Sequence, residues 1–232
     1  MSRTSKPKQF LDILGTGRSL IQMTFDRLSS TVSPSDILVV TNELYRSEVA
    51  KHLPTIPPEN ILCEPCMRNT APCIAYANAV ISARVELAGI DACDVGIIVA
   101  PSDHLILKEP EFDRIISLAL TEAISNTSLI TLGIKPSRAE TGYGYIQYSD
   151  ELLDSNNELR KVKTFTEKPN LELANQFLSS GDFLWNSGMF IWSVDSIINS
   201  FKQLLPDMYE IFSEGDDLYN TDKETDFINR IF

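Results

Sequence analysis

The sequence predicts an α/β fold, with a mainly parallel sheet flanked by helices and a small, partly antiparallel insertion. Three observations predict it. Short β-branched runs alternate with helical patterns as far as Ile134, and that alternation builds parallel strands joined by crossover helices. One run, Val95-Gly96-Ile97-Ile98-Val99, opens directly into Ala100-Pro101-Ser102-Asp103-His104, the pattern of a buried central strand ending in a polar loop. Beyond Thr141 two strand patterns follow one another across a polar connection, which marks an antiparallel segment.

Taken in order, Ser19 to Leu28 reads as a helix because a serine precedes apolar residues at helical spacing. Asp36 to Thr41 reads as a strand, Asn42 to Leu53 as a helix, and Asn60 to Glu64 as a second strand. A long helix is expected from Thr70 to about Ala88. The Val95 strand, a helix from Pro110 to Ser125 and a strand from Ser128 to Ile134 come next. The insertion holds strands at Tyr143 to Tyr148 and Leu159 to Thr166, joined by the polar Ser149 to Glu158. Helical patterns return at Leu171 to Ser179 and Val194 to Leu205, with a strand at Gly188 to Trp192 between them. No repeat or low-complexity linker divides the chain, so a single domain over 1–232 is expected.

The residues alone leave alternatives open at each chemical position. Asp103 places a carboxylate where a strand ends, the edge at which open α/β sheets bind ligands, and a hard divalent cation takes such a group. Ser102 and Asp103 are equally ordinary helix-capping residues. His104 reads as a metal ligand or as a hydrogen-bonded loop or core histidine. Lys8 near a chain start is either solvated or a phosphate contact. Gly142 and Gly144 flank Tyr143, a spacing that lets backbone approach a ligand beside an aromatic wall. Glu167 and Lys168 read as an edge-strand charge pair or as binding groups, and Asn186-Ser187-Gly188 as a turn before a strand or as a binding segment.

Five segments decide between these readings by occurring together and in order. They are Pro7-Lys8-Gln9-Phe10, then Glu64-Pro65-Cys66-Met67-Arg68-Asn69-Thr70-Ala71-Pro72, then Ala100-Pro101-Ser102-Asp103-His104, then Thr141-Gly142-Tyr143-Gly144-Tyr145-Ile146, and finally Phe165-Thr166-Glu167-Lys168-Pro169 with Trp185-Asn186-Ser187-Gly188-Met189-Phe190. Over nearly the whole chain this set resembles the mannose-1-phosphate guanylyltransferases, sugar-nucleotide pyrophosphorylases that make GDP-mannose from GTP and mannose 1-phosphate.

The resemblance implies a Rossmann-like nucleotidyltransferase fold. It makes Asp103 the Mg²⁺ ligand and Lys8 the residue that contacts phosphate and stabilises the transition state, with Arg3 in a supporting role. Glu64, Arg68, Asn69, Thr70 and Ser102 become nucleotide contacts. Glu64 would accept from the adjacent N–H donors of guanine, while Asn69 and Thr70 would also cap the following helix. Gly142, Tyr143, Gly144, Glu167, Lys168 and Asn186 would line the sugar phosphate site. The family begins with a strand and a Gly-Gly-x-Gly-Thr-Arg loop and carries a later metal-binding aspartate. Relative to that pattern this chain reads as a nucleotidyltransferase-like domain lacking the N-terminal strand and loop and the C-terminal part, with little activity expected of it alone. A sister enzyme with another base or sugar, and a remnant that only binds ligand weakly, are the competing readings.

Composition agrees with a soluble intracellular α/β domain, while anionic substrates require positive charge to be concentrated locally. The chain has 232 residues, 43% of them hydrophobic, and a formal net charge of −12, which opposes nonspecific nucleic-acid binding. Arg3, Lys6 and Lys8 concentrate positive charge locally, whereas the acidic stretch from Glu214 to Asp226 reads as a solvated face. No apolar run is long enough to span a bilayer, and Met1 to Leu20 lacks the apolar core of a secretory leader, so the expected compartment is cytoplasmic, with no membrane partner. Cys63, Cys66, Cys73 and Cys93 lack a second metal-binding pair and read as reduced thiols. A homo-oligomer is compatible with the sequence.

Overall fold

The first helix is set by its own cap. Ser19 donates its backbone N–H to Gln22 Oε1 at 2.9 Å in a capping box, and α1 (Leu20–Leu28) follows. Its apolar face carries Ile21 and Phe25 into a core shared with Ile37, Val49, Leu53, Ile56 and Ile61. A computed structural model describes residues 7–66, 68–153 and 158–232, and the chain divides into two compact units, 1–129 with 191–232, and 130–190.

In the first unit β1 (Val39–Asn42) and β2 (Ile61–Glu64) pair in parallel, Val39 opposite Ile61 and Asn42 opposite Glu64. β1 starts later than the apolar run suggests because Pro34–Asp36 winds into a 3₁₀ turn with proline at its first position. The expected helix from Asn42 is likewise split. Asn42 Oδ1 accepts from Leu44 N at 3.0 Å, which closes a 3₁₀ turn at Glu43–Tyr45 before α2 (Arg46–His52). α3 (Thr70–Leu87) is a single long helix, as its pattern predicts.

β3 (Gly96–Val99) and α4 (Glu109–Ser125) come next. Gly96 lets them approach closely, since a Cβ there would stand 2.7 Å from Leu120 Cδ2. The expectation of a fully buried central strand is corrected here. All four β3 residues are only half-buried, because among the described residues β3 ends the strand order, paired with β7 (Phe183–Ser193). The backbone of Val194 donates to Val95 O at 2.9 Å.

α6 (Val194–Leu204), α7 (Pro206–Ser213) and α8 (Glu224–Ile231) complete this unit. The last two go beyond the sequence expectation, although proline at the start of α7 and the carboxylates in the first turn of α8 are helix-start signals. The acidic stretch is also more than a solvated face. Glu224 accepts from Tyr76 Oη at 2.6 Å and from Asn220 N at 2.6 Å, and Asn220 Oδ1 accepts from Arg84 Nε at 2.7 Å. Arg84 Nη1 then reaches the buried Asn60 Oδ1 at 2.7 Å, so one network ties α8 and α3 to the start of β2. Tyr76→Phe removes a hydrogen bond to a carboxylate and is expected to lower unfolding free energy by about 1–3 kcal/mol in urea titration. An unchanged midpoint would mean that Glu224 keeps its place without Tyr76.

The second unit is an antiparallel sheet with one helix. β5 (Gly144–Leu152) pairs on one side with β6 (Arg160–Glu167) and on the other with β7, which also pairs with β4 (Ile130–Ile134). Tyr145, Phe183 and Trp185 make the core with Ala174 and Phe177 of α5 (Leu171–Ser180), and Phe177 stacks on Phe183 at 3.9 Å between centroids. Two expectations change. β5 continues to Leu152 through irregular pairing after Gln147. β7 takes in the Asn186-Ser187-Gly188 segment instead of following a turn there: Asn186 Oδ1 accepts from Gly188 N at 3.0 Å and Gly188 sits at φ +72°, both turn-like, yet pairing with the neighbouring strands keeps the segment in β7. Among the described residues no helix is long and apolar enough to cross a membrane.

Candidate functional site

Lys8 and Asp103 lie 95 positions apart and meet. Lys8 Nζ stands 3.2 Å from Asp103 Oδ2, with the two side chains 47% and 36% exposed. Lys8 opens a 3₁₀ turn (Lys8–Phe10) whose Phe10 ring packs 5.2 Å from His52 and 6.1 Å from Tyr45, so an aromatic anchor two residues away fixes where the ammonium emerges. Asp103 lies in the loop just past the carboxyl end of β3, with Ser102 beside it. Next to it His104 is half-buried, and burial holds its pKa below the ordinary imidazole value against the pull of Asp103. Its place in the loop and its partial burial agree with a loop histidine. Arg3 lies outside the described residues.

One further residue near this loop belongs to no sequence motif. Arg27 is only 4% exposed, lies with its guanidinium 5.5 Å over the Phe112 ring, and places Nε 3.8 Å from the Glu109 carboxylate that starts α4. Burial lowers its pKa, and its charge acts on His104. The signal for it in the sequence is a charged residue in the largely buried α1.

The Glu64 to Thr70 segment occupies the corresponding end of β2. Glu64 is 9% exposed, its Oε2 has no hydrogen-bond partner, and burial pushes its carboxyl pKa up. Asn69 does not cap α3 through its side chain. It takes φ +67°, a left-handed conformation uncommon for a residue other than glycine, so capping does not account for it. Arg68 and Thr70 are exposed at the same end of the helix. Burial lifts the Cys63 and Cys73 thiols to about 11, which keeps them protonated at neutral pH. Among the described residues no group of three His, Cys, Asp or Glu side chains could hold a metal by itself. A lone carboxylate fits Mg²⁺ nonetheless, because that ion is commonly held by one or two carboxylates with the remaining positions filled by phosphate oxygens and water.

In the second unit the antiparallel register sets three predicted residues in a row. Gly144 is opposite Glu167, and one step from the Tyr145–Trp185 pair puts it beside Asn186. A Cβ on Gly144 would stand 2.6 Å from Glu167 Oε2 and 3.5 Å from Asn186 Cβ, so the carboxylate occupies the space that a side chain would fill. Asn186 Oδ1 also accepts from Thr131 Oγ1 at 3.2 Å, another residue outside the sequence motifs. Lys168 pairs with Glu167 at 3.4 Å, takes φ +45°, and donates its N–H to Tyr143 O at 3.2 Å. Tyr143 turns its ring edge-on to Trp185, 5.3 Å away, rather than into this row. Gly142 N donates to Glu140 Oε1 at 3.1 Å, and Arg138 holds the same carboxylate at 2.9 Å while lying over Trp185.

With that geometry in place, the profile of the nucleotidyl transferase family matches residues 1–229. The chain belongs to this family. As a nucleotidyl transferase it is similar to the mannose-1-phosphate guanylyltransferase RfbM of Salmonella typhimurium, at 38% identity over 90% of this chain and 42% of the relative. A mannose-1-phosphate guanylyltransferase of Escherichia coli is 36% identical over 98% of this chain and 48% of its own length. The chain therefore spans about half the length of these curated relatives. Among solved structures, a mannose-1-phosphate geranyltransferase from Thermus thermophilus superposes with TM-score 0.80 at 25% identity, covering 98% of this chain and 62% of that one. A mannose-6-phosphate isomerase from Helicobacter pylori gives TM-score 0.74 at 28% identity, over 91% and 75% of the two chains. The Rossmann-type nucleotidyl transferase fold expected from the motif set is thus the observed one.

Proposed function

We propose that this nucleotidyl transferase moves GMP from GTP to mannose 1-phosphate, releasing pyrophosphate and forming GDP-mannose. The observation that carries the reading is the Lys8–Asp103 pair, a cation and a carboxylate held together past a strand end. Transfer at the α-phosphorus gathers negative charge, and the site must neutralise it. Asp103 would hold Mg²⁺, which supplies charge neutralisation and polarises phosphate oxygens when bound. Lys8, released from Asp103 as the nucleotide enters, would pass its ammonium to the phosphates. Arg3, Arg68, Thr70 and Ser102 would support the triphosphate.

Glu64 offers an acceptor-only oxygen without a partner, which suits the paired N–H donors of guanine and repels the ring acceptor of adenine. Asn69, held at a left-handed φ, would present its amide beside it. In the second unit Glu167 and Asn186 would bond sugar hydroxyls, Lys168 would reach the sugar phosphate, and Gly142, Tyr143 and Gly144 would shape the backbone there.

The deciding experiment measures pyrophosphate release across GTP, ATP and UTP with mannose 1-phosphate and glucose 1-phosphate, in a version of the protein that also carries the family's glycine-rich loop and later aspartate. Turnover concentrated in the GTP and mannose 1-phosphate pair is expected; preference for another base or sugar would move the chain to a sister specificity. Glu64→Gln tests the base contact, because the amide also donates, and should narrow discrimination between GTP and ATP. The same variant tests burial. A carboxyl whose pKa is raised on folding keeps a proton that the unfolded chain loses, so its contribution to stability falls as pH rises through the ordinary carboxylate value toward the folded one. Glu64→Gln should therefore raise the melting temperature more at pH 7 than at pH 4. An equal change at both values would show that Glu64 ionises without penalty.

A further inference from the structure

In the sheet of the second unit, Asn186 on β7 and Glu167 on β6 flank Gly144 of β5. Neighbouring strands lie about 4.8 Å apart, so the two backbones stand roughly 10 Å apart with a bare Cα between them. Both side chains share the face that a Gly144 side chain would occupy, since a Cβ there would meet Glu167 Oε2 at 2.6 Å and Asn186 Cβ at 3.5 Å. The result is a gap with one polar side chain on each wall.

The walls differ in hydrogen-bonding sense. An ionised Glu167 only accepts, whereas an asparagine can present either its oxygen or its nitrogen, and its partners decide which. Gly188 N is a fixed donor and gives its proton to Asn186 Oδ1 at 3.0 Å. The opposite orientation of the amide would set Nδ2 against that N–H, two donors facing one another. This bond is local, however, reaching only two positions along the same segment. The hold from elsewhere is Thr131 of β4, whose Oγ1 lies 3.2 Å from Asn186 Oδ1 and 3.0 Å from Met189 O, one proton shared between two carbonyl oxygens. Gly188 thus chooses the atom, and Thr131, 55 positions away, ties it to a second strand. With Oδ1 committed to these two donors, the NH₂ group is the part of Asn186 left to meet a ligand.

We propose that Thr131 is a positioning residue for the sugar: it holds Asn186 so that Nδ2 donates to one hydroxyl over Gly144 while Glu167 accepts from the neighbouring one. A donor on one wall and an acceptor on the other select a vicinal diol, in which one hydroxyl accepts and the next donates. The inference rests on the placement of sugar hydroxyls at Asn186 and Glu167 in the proposed function, and adds the direction of each bond and the residue that sets it. Thr131 acts through Asn186, because its own proton is already shared within the sheet.

The test is an NMR titration of the ¹⁵N-labelled 232-residue chain with mannose 1-phosphate, reading the Asn186 side-chain NH₂ signals, which the Asn186→Asp variant identifies by their loss. In the parent these signals should shift saturably. Thr131→Val keeps the shape of the side chain and removes the hydroxyl; it should move the NH₂ signals before any ligand is added and weaken mannose 1-phosphate about fivefold, the scale of one hydrogen bond. Thr131→Ser restores the hydroxyl and should bind within about twofold of the parent. Among monodeoxy forms of mannose 1-phosphate, those lacking either of two neighbouring hydroxyls should bind the parent about fivefold more weakly. Thr131→Val should cancel that penalty for one of the two only, because the two changes then remove the same bond. If neither mannose 1-phosphate nor glucose 1-phosphate moves the parent's Asn186 signals, the sugar reading of these residues fails and the role of Thr131 falls with it. If the parent responds but Thr131→Val binds as tightly, or Thr131→Ser binds as weakly as Thr131→Val, the sugar reading stands and the positioning role is overturned.

Discussion

Asp103→Asn, made in a version that also carries the family's glycine-rich loop and later aspartate, should remove metal-dependent GMP transfer almost completely, lowering kcat by about two orders of magnitude or more, the scale lost when one electrostatic stabiliser of a transition state is deleted. The fold should not suffer. Both partners of the Lys8–Asp103 pair are well exposed, and an exposed pair contributes only about 0–1 kcal/mol, so the melting temperature should stay within a few degrees. The variant keeps the shape of the side chain and loses only its charge, which separates metal binding from packing. Mn²⁺ binding to the nucleotide complex, followed by paramagnetic relaxation of water, gives a readout other than turnover and should weaken in parallel. Lys8→Met offers the contrast, since it should spare Asp103 as a ligand while reducing affinity for the nucleotide phosphates. If Asp103→Asn kept parent-level turnover and Mn²⁺ affinity, the metal would have to be placed elsewhere in the chain.

The second large effect is expected from a single methyl group. Gly144→Ala would put Cβ 2.6 Å from Glu167 Oε2, closer than carbon and oxygen tolerate, so the carboxylate must swing away. Affinity for mannose 1-phosphate should fall about tenfold while affinity for GTP is unchanged. Overpacking of this kind costs about 1–3 kcal/mol when neighbours cannot move, and less here because Glu167 is exposed. Glu167→Ala should give the same selective loss by removing the acceptor outright. The double variant should be no worse than Glu167→Ala alone, because both changes act through one carboxylate. Calorimetric affinities for the two substrates across this cycle decide the matter. Additive losses would show that Gly144 serves backbone geometry and not the placement of Glu167.

Much of the local structure is legible in the chain. The Ser19 capping box, the extent of α3 and the strand at Ile61–Glu64 follow from short-range residue patterns, because each depends on residues within a few positions of one another. β7 reads too short in the sequence for the complementary reason. Its central Asn186-Ser187-Gly188 has the composition of a turn, and only pairing with β5 and β4 holds it as strand. Arg27 shows in the sequence only as a charged residue within a helical pattern, and nothing in that pattern says that its side chain will be enclosed.

By itself the sequence determined the alternation that makes an α/β nucleotidyl transferase, and motif order marked Lys8, Glu64, Asp103, Glu167 and Asn186 as the candidates to carry its chemistry. Tertiary structure alone decided what those residues touch. It brought Lys8 to Asp103 across 95 positions, set Glu167 against the bare Cα of Gly144, left one oxygen of Glu64 buried without a partner, and sent the Tyr143 ring to Trp185. Propensity and capping act over a few residues and are written locally, whereas register, burial and ion pairing depend on which distant segments pack together.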